Sequence, residues 1–215
     1  MIIRVNLKTI SIILLPMRIL AAADIHGDTE LAKRLAEQAS LENVDLVVLA
    51  GDLFKNDLET KNILGPFVNK NKKIVLIPGN HESITTAEFV AEQYDAVNLH
   101  GYGIKDNEVG FFGCSAVDWG HNLSDEDIEE MLQRSHDYIK DAKKRIMVTH
   151  VHPTNSIIEG FSSFVHGSKS VEKMIMKLQP DIFICGHVHE ASGIEEKIGN
   201  TRVINVSRTG KILDL

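Results

Sequence analysis

The chain has 215 residues, of which 43% are hydrophobic and 25% are charged. This length and composition fit one globular domain with a substantial core, and they exclude an intrinsically disordered chain. A net charge of -7 argues against bulk binding to nucleic acid, which needs many lysine or arginine contacts to phosphate. A small anionic substrate stays compatible with this charge, since bound divalent cations would reverse the local field.

The N-terminus has the outline of a secretory signal, with a basic start, an apolar stretch and three alanines at 21–23. Cleavage there would remove most of a predicted strand, and Pro16 and Arg18 interrupt a stretch already too short to span a bilayer. We therefore expect residues 1–16 to be an extension or to reflect an upstream start, and residues 17–215 to form the domain. Cys114 and Cys185 make no disulfide framework, which favours the cytoplasm. A signal peptide is the alternative.

A short apolar run that ends abruptly in polar residues recurs along the chain. Such runs, rich in valine and isoleucine and flanked by glycine or proline, are typical of buried strands. The polar residues that follow them are at 24–28, 51–52, 79–82, 149–152 and 186–189. Between the runs, helices are predicted over 29–40, 125–142 and 169–179, the second after a capping box from Ser124 to Asp127. Alternating strands and helices predict an α/β core.

The C-terminal part has a different pattern. Segments 191–197 and 202–206 flank a Gly199-Asn200 turn, which predicts a β-hairpin, and residues 211–215 are a candidate last strand. Antiparallel pairing here indicates a mixed sheet or a second sheet. We expect two sheets packed face to face, with helices outside.

The strand ends carry candidate metal ligands, because ligands of α/β sheets gather beyond the carboxyl ends of the strands. Asp24 and His26 are two residues apart, as are His187 and His189, and such pairs point to one side of an extended segment. The oxygen and imidazole donors, without thiolate, suit Mn, Fe, Zn or Co. Seven donors exceed one tetrahedral ion and fit two cations about 3.5–4 Å apart that share a carboxylate. The seven are Asp24, His26, Asp52, Asn80, His150, His187 and His189.

These motifs, together with the Gly-Asn-His at 79–81, resemble the calcineurin-like metallophosphoesterases from residue 17 to about 206. The second half is similar to the small Icc-related phosphoesterases at 150–153, 166–168, 179–180 and 185–190. The resemblance implies a four-layer α/β/β/α sandwich with two mostly mixed sheets.

The resemblance also implies the ligand sets and the reaction. One ion would be held by Asp24, His26, Asp52 and His189, and the other by Asp52, Asn80, His150 and His187. Mn²⁺ is the expected metal, with Fe, Zn, Co or Ni as alternatives. A hydroxide that bridges the ions would attack the phosphate ester, with diesters as the expected substrates and monoesters left open. His81 would assist the leaving group. The alternative is a non-catalytic metal-binding scaffold, which the presence of every ligand and of His81 argues against.

Several residues depart from the family pattern or have weaker signals. Lys55 stands where many relatives have an acid that orients the catalytic histidine, and Asp57 or Glu82 could substitute for it. His152 and His166 could contact substrate or support the ligands, and surface histidines without a role are the alternative. Trp119 and His121 could stack on a base. The expected partner is a small phosphate ester, with no membrane, and a homo-oligomer is compatible with the sequence.

Overall fold

The computed structural model describes residues 16–57, 59–117 and 123–215. The first strands and helices are β1 (Arg18–Ala22), α1 (Thr29–Leu41), β2 (Leu46–Ala50), α2 (Gly65–Val68), β3 (Lys73–Ile77), α3 (Ile84–Gln93), β4 (Val97–Asn98), β5 (Gly103–Asp106) and β6 (Val109–Gly113). The remaining ones are α4 (Asp125–Asp137), β7 (Lys144–Val148), α5 (Lys169–Leu178), β8 (Ile182–Cys185), β9 (Glu195–Ile198), β10 (Thr201–Asn205) and β11 (Lys211–Asp214). None of the described helices is long and apolar enough to cross a membrane.

The strands form two mixed sheets. Sheet I has the order β11-β1-β2-β3-β4, with β1 to β4 parallel and β11 antiparallel to β1. Sheet II has the order β5-β6-β7-β8-β10-β9, in which four central parallel strands lie between the antiparallel edge strands β5 and β9. The predicted hairpin is confirmed as β9 and β10. The predicted last strand is β11, which returns to the other sheet.

Three apolar layers separate the sheets from each other and from the helices. Alternate residues of β1 face opposite sides: Leu20 packs in the core under α1, whereas Ile19 packs between the sheets. In sheet II, Phe111 faces sheet I and Phe112 faces the core under α4 and α5. Because a strand with both faces covered must be apolar on both, these strands form continuous hydrophobic runs. The predicted four-layer α/β/β/α sandwich is confirmed.

Local sequence sets where the helices begin. Asp28 caps α1 by accepting bonds from the backbone N–H groups of Glu30 and Leu31, and the predicted capping box of Ser124 and Asp127 begins α4. The predicted end of α4 at residue 142 was wrong, since the helix ends at Asp137. The chain then turns, with the N–H of Ile139 donating to the carbonyl of His136, and buries Ile139.

The core under α4 and α5 should contribute strongly to stability. Phe183→Ala removes a ring that is fully buried in this core and should lower the free energy of unfolding by about 3–5 kcal/mol, measured by urea denaturation. Phe164→Ala makes the same chemical change at a side chain that is 91% exposed, so it should shift the free energy by less than about 0.5 kcal/mol. Equal losses in the two variants would contradict this description of the core.

Candidate metal centre

The predicted ligands come from both sheets and meet at one rim of the sandwich. In sheet I, Asp24 follows β1, Asp52 follows β2 and Asn80 follows β3. In sheet II, His150 follows β7 and His187 follows β8. The strands β1, β2 and β3 are parallel to one another, as are β7 and β8, so the carboxyl ends within each sheet deliver these side chains to one edge.

Asp24, His26 and His189 form the first cluster, with their ligand atoms within 4.8 Å of one another. The Nε2 atoms of His26 and His189 are 3.1 Å apart, and His189 Nε2 is 3.2 Å from Asp24 Oδ1. Two ring nitrogens at this distance need either a shared proton or a cation between them. The cluster therefore has the donors for one metal ion.

Asp52, His150 and His187 form the second cluster, again within 4.8 Å. His150 Nε2 lies 3.4 Å from Asp52 Oδ2 and 3.1 Å from Asn80 Oδ1. The other ring nitrogen of His150, Nδ1, lies 2.9 Å from the carbonyl oxygen of Ala50, which fixes the ring orientation. This cluster could hold a second ion.

Asp52 links the two clusters. Its Oδ2 atom is 3.7 Å from His26 Nε2 and 3.9 Å from His81 Nε2, and these three residues form a third group of neighbouring donors. Asp52 Oδ1 also accepts a bond of 3.0 Å from the backbone N–H of His81. One carboxylate is therefore within reach of both clusters.

The donor geometry fits divalent cations. Metal–ligand distances of about 2.1 Å place neighbouring donors about 3.0–3.4 Å apart in octahedral or tetrahedral coordination. The separations of 3.1, 3.2 and 3.4 Å within the two clusters lie in or beside that range. Oxygen and imidazole donors without a thiolate suit the first-row divalent ions.

The backbone at the ligands was not predicted correctly. Asp24, His26 and His187 were predicted to lie on extended segments, but their φ angles are 58°, 50° and 72°, in the left-handed region. Asp52 has a φ angle of 53°. Non-glycine residues rarely adopt this conformation, and it concentrates at functional sites where surrounding contacts hold it. The backbone therefore turns sharply at these four ligands, which helps their side chains to converge.

Two glycines allow the strand ends to approach each other. A Cβ atom at Gly186 would lie 2.5 Å from the Asp24 carboxylate, and one at Gly79 would overlap the backbone nitrogen and the carboxylate of Asp52. At both positions the absence of a Cβ atom makes room for a metal-ligand side chain from a different strand end. Neither glycine is needed for a left-handed turn.

Charge is concentrated among these buried groups. The pKa of Asp52 is held well below its usual range: burial alone would raise it, but the imidazoles of His150, His81 and His26 outweigh that effect. Burial lowers the pKa of His150, yet the carboxylates of Asp52 and Asp24 raise it to about 9. Burial and the neighbouring His150 lower the pKa of His187 to about 4. In this buried site, carboxylates and imidazoles stabilise each other's charged forms, because water does not solvate them.

Glu82 supports the centre in a way that the sequence analysis did not predict. Its carboxylate is buried and accepts backbone N–H bonds from Leu53, Phe54 and Gly79, at 2.9–3.3 Å. It therefore joins the loop after Asp52 to the loop that carries Asn80 and His81. Burial and the Asp52 carboxylate raise the pKa of Glu82 to about 7, although the N–H donors oppose this. The Gly-Asn-His-Glu order was its only sequence signal.

Asn205 has a similar role on sheet II. Its buried amide donates to the carbonyls of Gly186 and Val188, on either side of His187, and its Oδ1 accepts from the N–H of Ser207. The amide therefore anchors the loop of His187.

His81 lies at the edge of the centre. Its side chain is 44% exposed, and its ring stacks edge-on against His26 with centroids 4.6 Å apart. Neither suggested substitute for the missing acid orients this ring: Asp57 accepts from the N–H of Ser83, and Glu82 accepts from backbone groups. Lys55 points to Glu59, 3.5 Å away.

The weaker candidates separate in the structure. His152 is fully buried, its two ring nitrogens have no hydrogen-bond partner, and its ring centroid is 6.5 Å from that of His187. Such burial favours support of His187 over contact with substrate. His166 lines a cavity together with His187, so its predicted contact with substrate stays a prediction. Trp119 and His121 lie outside the described residues.

The family model described as calcineurin-like phosphoesterase matches residues 17–191. The chain belongs to the calcineurin-like phosphoesterase family. Its general activity is therefore that of a metal-dependent phosphoester hydrolase. The clusters of histidine and aspartate could bind the metal ions on which this family depends. No curated protein sequence matches the chain significantly.

Solved structures share the fold at low sequence identity. The protein TT1561 of Thermus thermophilus has a TM-score of 0.71 at 15% identity, over 93% of this chain and 99% of that one. A dimetal phosphatase from Danio rerio has a TM-score of 0.60 at 11% identity, over 88% and 87%. The phosphopantetheinyl hydrolase PptH from Mycobacterium tuberculosis has a TM-score of 0.60 at 13% identity, over 90% and 89%.

Glu82→Gln should weaken the metal centre. In the glutamine variant an NH₂ group replaces one carboxylate oxygen, so it faces backbone N–H donors and cannot accept hydrogen bonds from them. The free energy of unfolding should therefore fall by about 1–3 kcal/mol. Bound metal, measured by plasma mass spectrometry after gel filtration, should fall as well. Glu130→Gln makes the same change on an exposed face of α4 and should alter neither quantity. Wild-type stability and metal content in Glu82→Gln would show that the anchor is dispensable.

Proposed function

We propose that this chain is a phosphodiesterase that uses two divalent cations and also accepts some phosphate monoesters. The observation that best supports this is the position of Asp52, whose carboxylate lies within 4 Å of donors from both clusters. A shared carboxylate is the feature that lets two ions act on one phosphate group. Mn²⁺ is the metal that we expect.

The proposed ligand sets follow the clusters. The first ion would be held by Asp24, His26, Asp52 and His189, and the second by Asp52, Asn80, His150 and His187. When bound, the ions would supply Lewis acidity at the phosphate and activate a water molecule.

His81 is proposed to protonate the leaving group. Its ring is partly exposed beside Asp52 and His26, so a ring nitrogen can reach the departing oxygen of a substrate at the centre. The hydrogen bond from the His81 backbone N–H to Asp52 holds the backbone of His81 in position beside the centre. A proton held on the imidazole would then pass to the alkoxide as the ester bond breaks.

The remaining parts of the proposal concern partners and location. A small phosphate ester is the proposed substrate, and the net charge of -7 argues against bulk binding to nucleic acid. We propose a cytoplasmic location, because the two cysteines make no disulfide framework. A homo-oligomer is compatible with this proposal.

Loss of Asp52 should remove metal from both clusters. Asp52→Asn keeps the shape of the side chain but removes the shared charge, so bound metal should fall from about two equivalents toward none and hydrolysis should stop. Plasma mass spectrometry on protein loaded with Mn²⁺ gives the metal content. Asp137→Asn changes a carboxylate that is 61% exposed and should keep full metal and activity. Two bound equivalents in Asp52→Asn would contradict the shared-ligand assignment.

Loss of His81 should separate metal binding from turnover. His81→Ala should lower kcat about 10²- to 10⁴-fold for a phosphodiester with an alkoxide leaving group, because the general acid is gone. The loss should be much smaller for bis(p-nitrophenyl) phosphate, since p-nitrophenolate leaves without a proton. The Mn²⁺ content should stay at the wild-type level. Undiminished turnover of the diester with the alkoxide leaving group would refute the role of His81. A wild-type protein that binds two equivalents of metal but hydrolyses no phosphate ester would favour the non-catalytic scaffold.

A further inference from the structure

A cavity of about 270 Å³ opens beside the second cluster. Its walls come from the chain after β6, the first turns of α4, the loop after β7 and the segment that leads into α5. His187 is part of the wall and also belongs to the cluster with Asp52 and His150. The cavity therefore lies next to the place where a phosphate would bind at the second cluster.

The arrangement of the centre indicates which part of a substrate enters the cavity. His81, the proposed acid for the leaving group, groups with His26 and Asp52, whereas His187 groups with His150 and Asp52. The leaving group would therefore face the side of the centre with His26 and His81, whereas the cavity adjoins the side with His150 and His187. The cavity is positioned for the group that stays on the phosphorus after hydrolysis.

The lining of the cavity combines aliphatic side chains with polar ones, namely one carboxylate, one serine and the imidazoles of His166 and His187. Val117, Leu123, Ile128 and Val151 supply aliphatic surface. Asp125 is the one ionic carboxylate among the described lining residues, which include no lysine or arginine. The Asp125 side chain is held in place by a bond of 2.5 Å from the Ser170 hydroxyl to its Oδ1.

This chemistry selects against a second anion. A phosphate at the metal centre has cations to neutralise it, but a second phosphate in the cavity would face the Asp125 carboxylate. Outside the metal cluster, His166 is the one described lining side chain that can carry a positive charge, and it does so only when protonated. The volume is just below that of typical pockets for drug-sized ligands, so it suits a group no larger than a nucleoside.

We infer that this cavity binds the retained alcohol group of the substrate and selects neutral or cationic groups over groups that carry a further phosphate. The inference rests on the proposed phosphodiesterase function. It assigns to Asp125 a role in specificity and none in the chemical step. It also places the substrate class among simple phosphodiesters of neutral or cationic alcohols.

A matched pair of substrates tests the inference. The p-nitrophenyl ester of thymidine 5′-phosphate and the same ester with a second phosphate on the 3′ hydroxyl share a leaving group and differ by that phosphate. The wild-type protein with Mn²⁺ should show a kcat/KM about tenfold higher for the ester without the 3′ phosphate. The preference should weaken as salt is raised, because salt screens the repulsion. The ester p-nitrophenyl phosphorylcholine, with a cationic retained group, should also be hydrolysed.

Charge variants of α4 identify the source of the preference. Asp125→Lys should bring the ratio of the two kcat/KM values to about one or reverse it, and Asp125→Asn should shift it in the same direction by less. Glu126→Lys places the same charge on the same exposed helix turn but outside the cavity wall, so it should leave most of the preference. Because each result is a ratio within one protein, general losses of stability or metal cancel.

The outcomes separate the inference from the function on which it rests. Equal kcat/KM values for the two esters in the wild type, or an unchanged ratio in Asp125→Lys, would overturn the inference while the phosphodiesterase function stands. A protein that hydrolyses neither ester nor bis(p-nitrophenyl) phosphate would refute the proposed function, and the inference with it.

Discussion

Two buried carboxylates, Asp24 and Asp52, define the centre of this protein. Each is surrounded by imidazoles that stabilise its charged form, and each opposes ionisation of the other. Burying like charges is costly unless positive groups compensate for them. In the absence of a cation, protonated His150 provides part of that compensation. The donors around the two carboxylates are therefore arranged for positive charge, and two divalent cations would supply it.

The fold concentrates this charge because both sheets end at the same rim. Ordinary side chains would hold these strand ends apart, but Gly79 leaves space for the carboxylate of Asp52 on the neighbouring strand end, and Gly186 leaves space for that of Asp24 across the two sheets. The left-handed backbone at the ligands costs free energy that the surrounding packing must offset. Rigid strands beneath the loops make that possible, since three apolar layers fix their positions.

Buried polar side chains connect the loops to each other. Glu82 joins the loops that follow β2 and β3, whereas Asn205 fixes the loop that follows β8. Each satisfies backbone groups that would otherwise be buried without partners, so both stabilise the fold and position the ligands. A metal centre built in this way keeps the ligand atoms close even though the ligands lie far apart in the sequence.

The sequence by itself predicted eight strands (β1 to β3 and β7 to β11), the starts of α1, α4 and α5, and the residues that converge, because each depends on a local pattern or on a motif at a strand end. It did not predict α2, α3 or the strands β4, β5 and β6. Tertiary structure decided the return of β11 to sheet I, the early end of α4 and the left-handed backbone at the ligands. It also decided the contacts of Glu82 and Asn205. These features depend on partners distant in the sequence, and only packing brings such partners together.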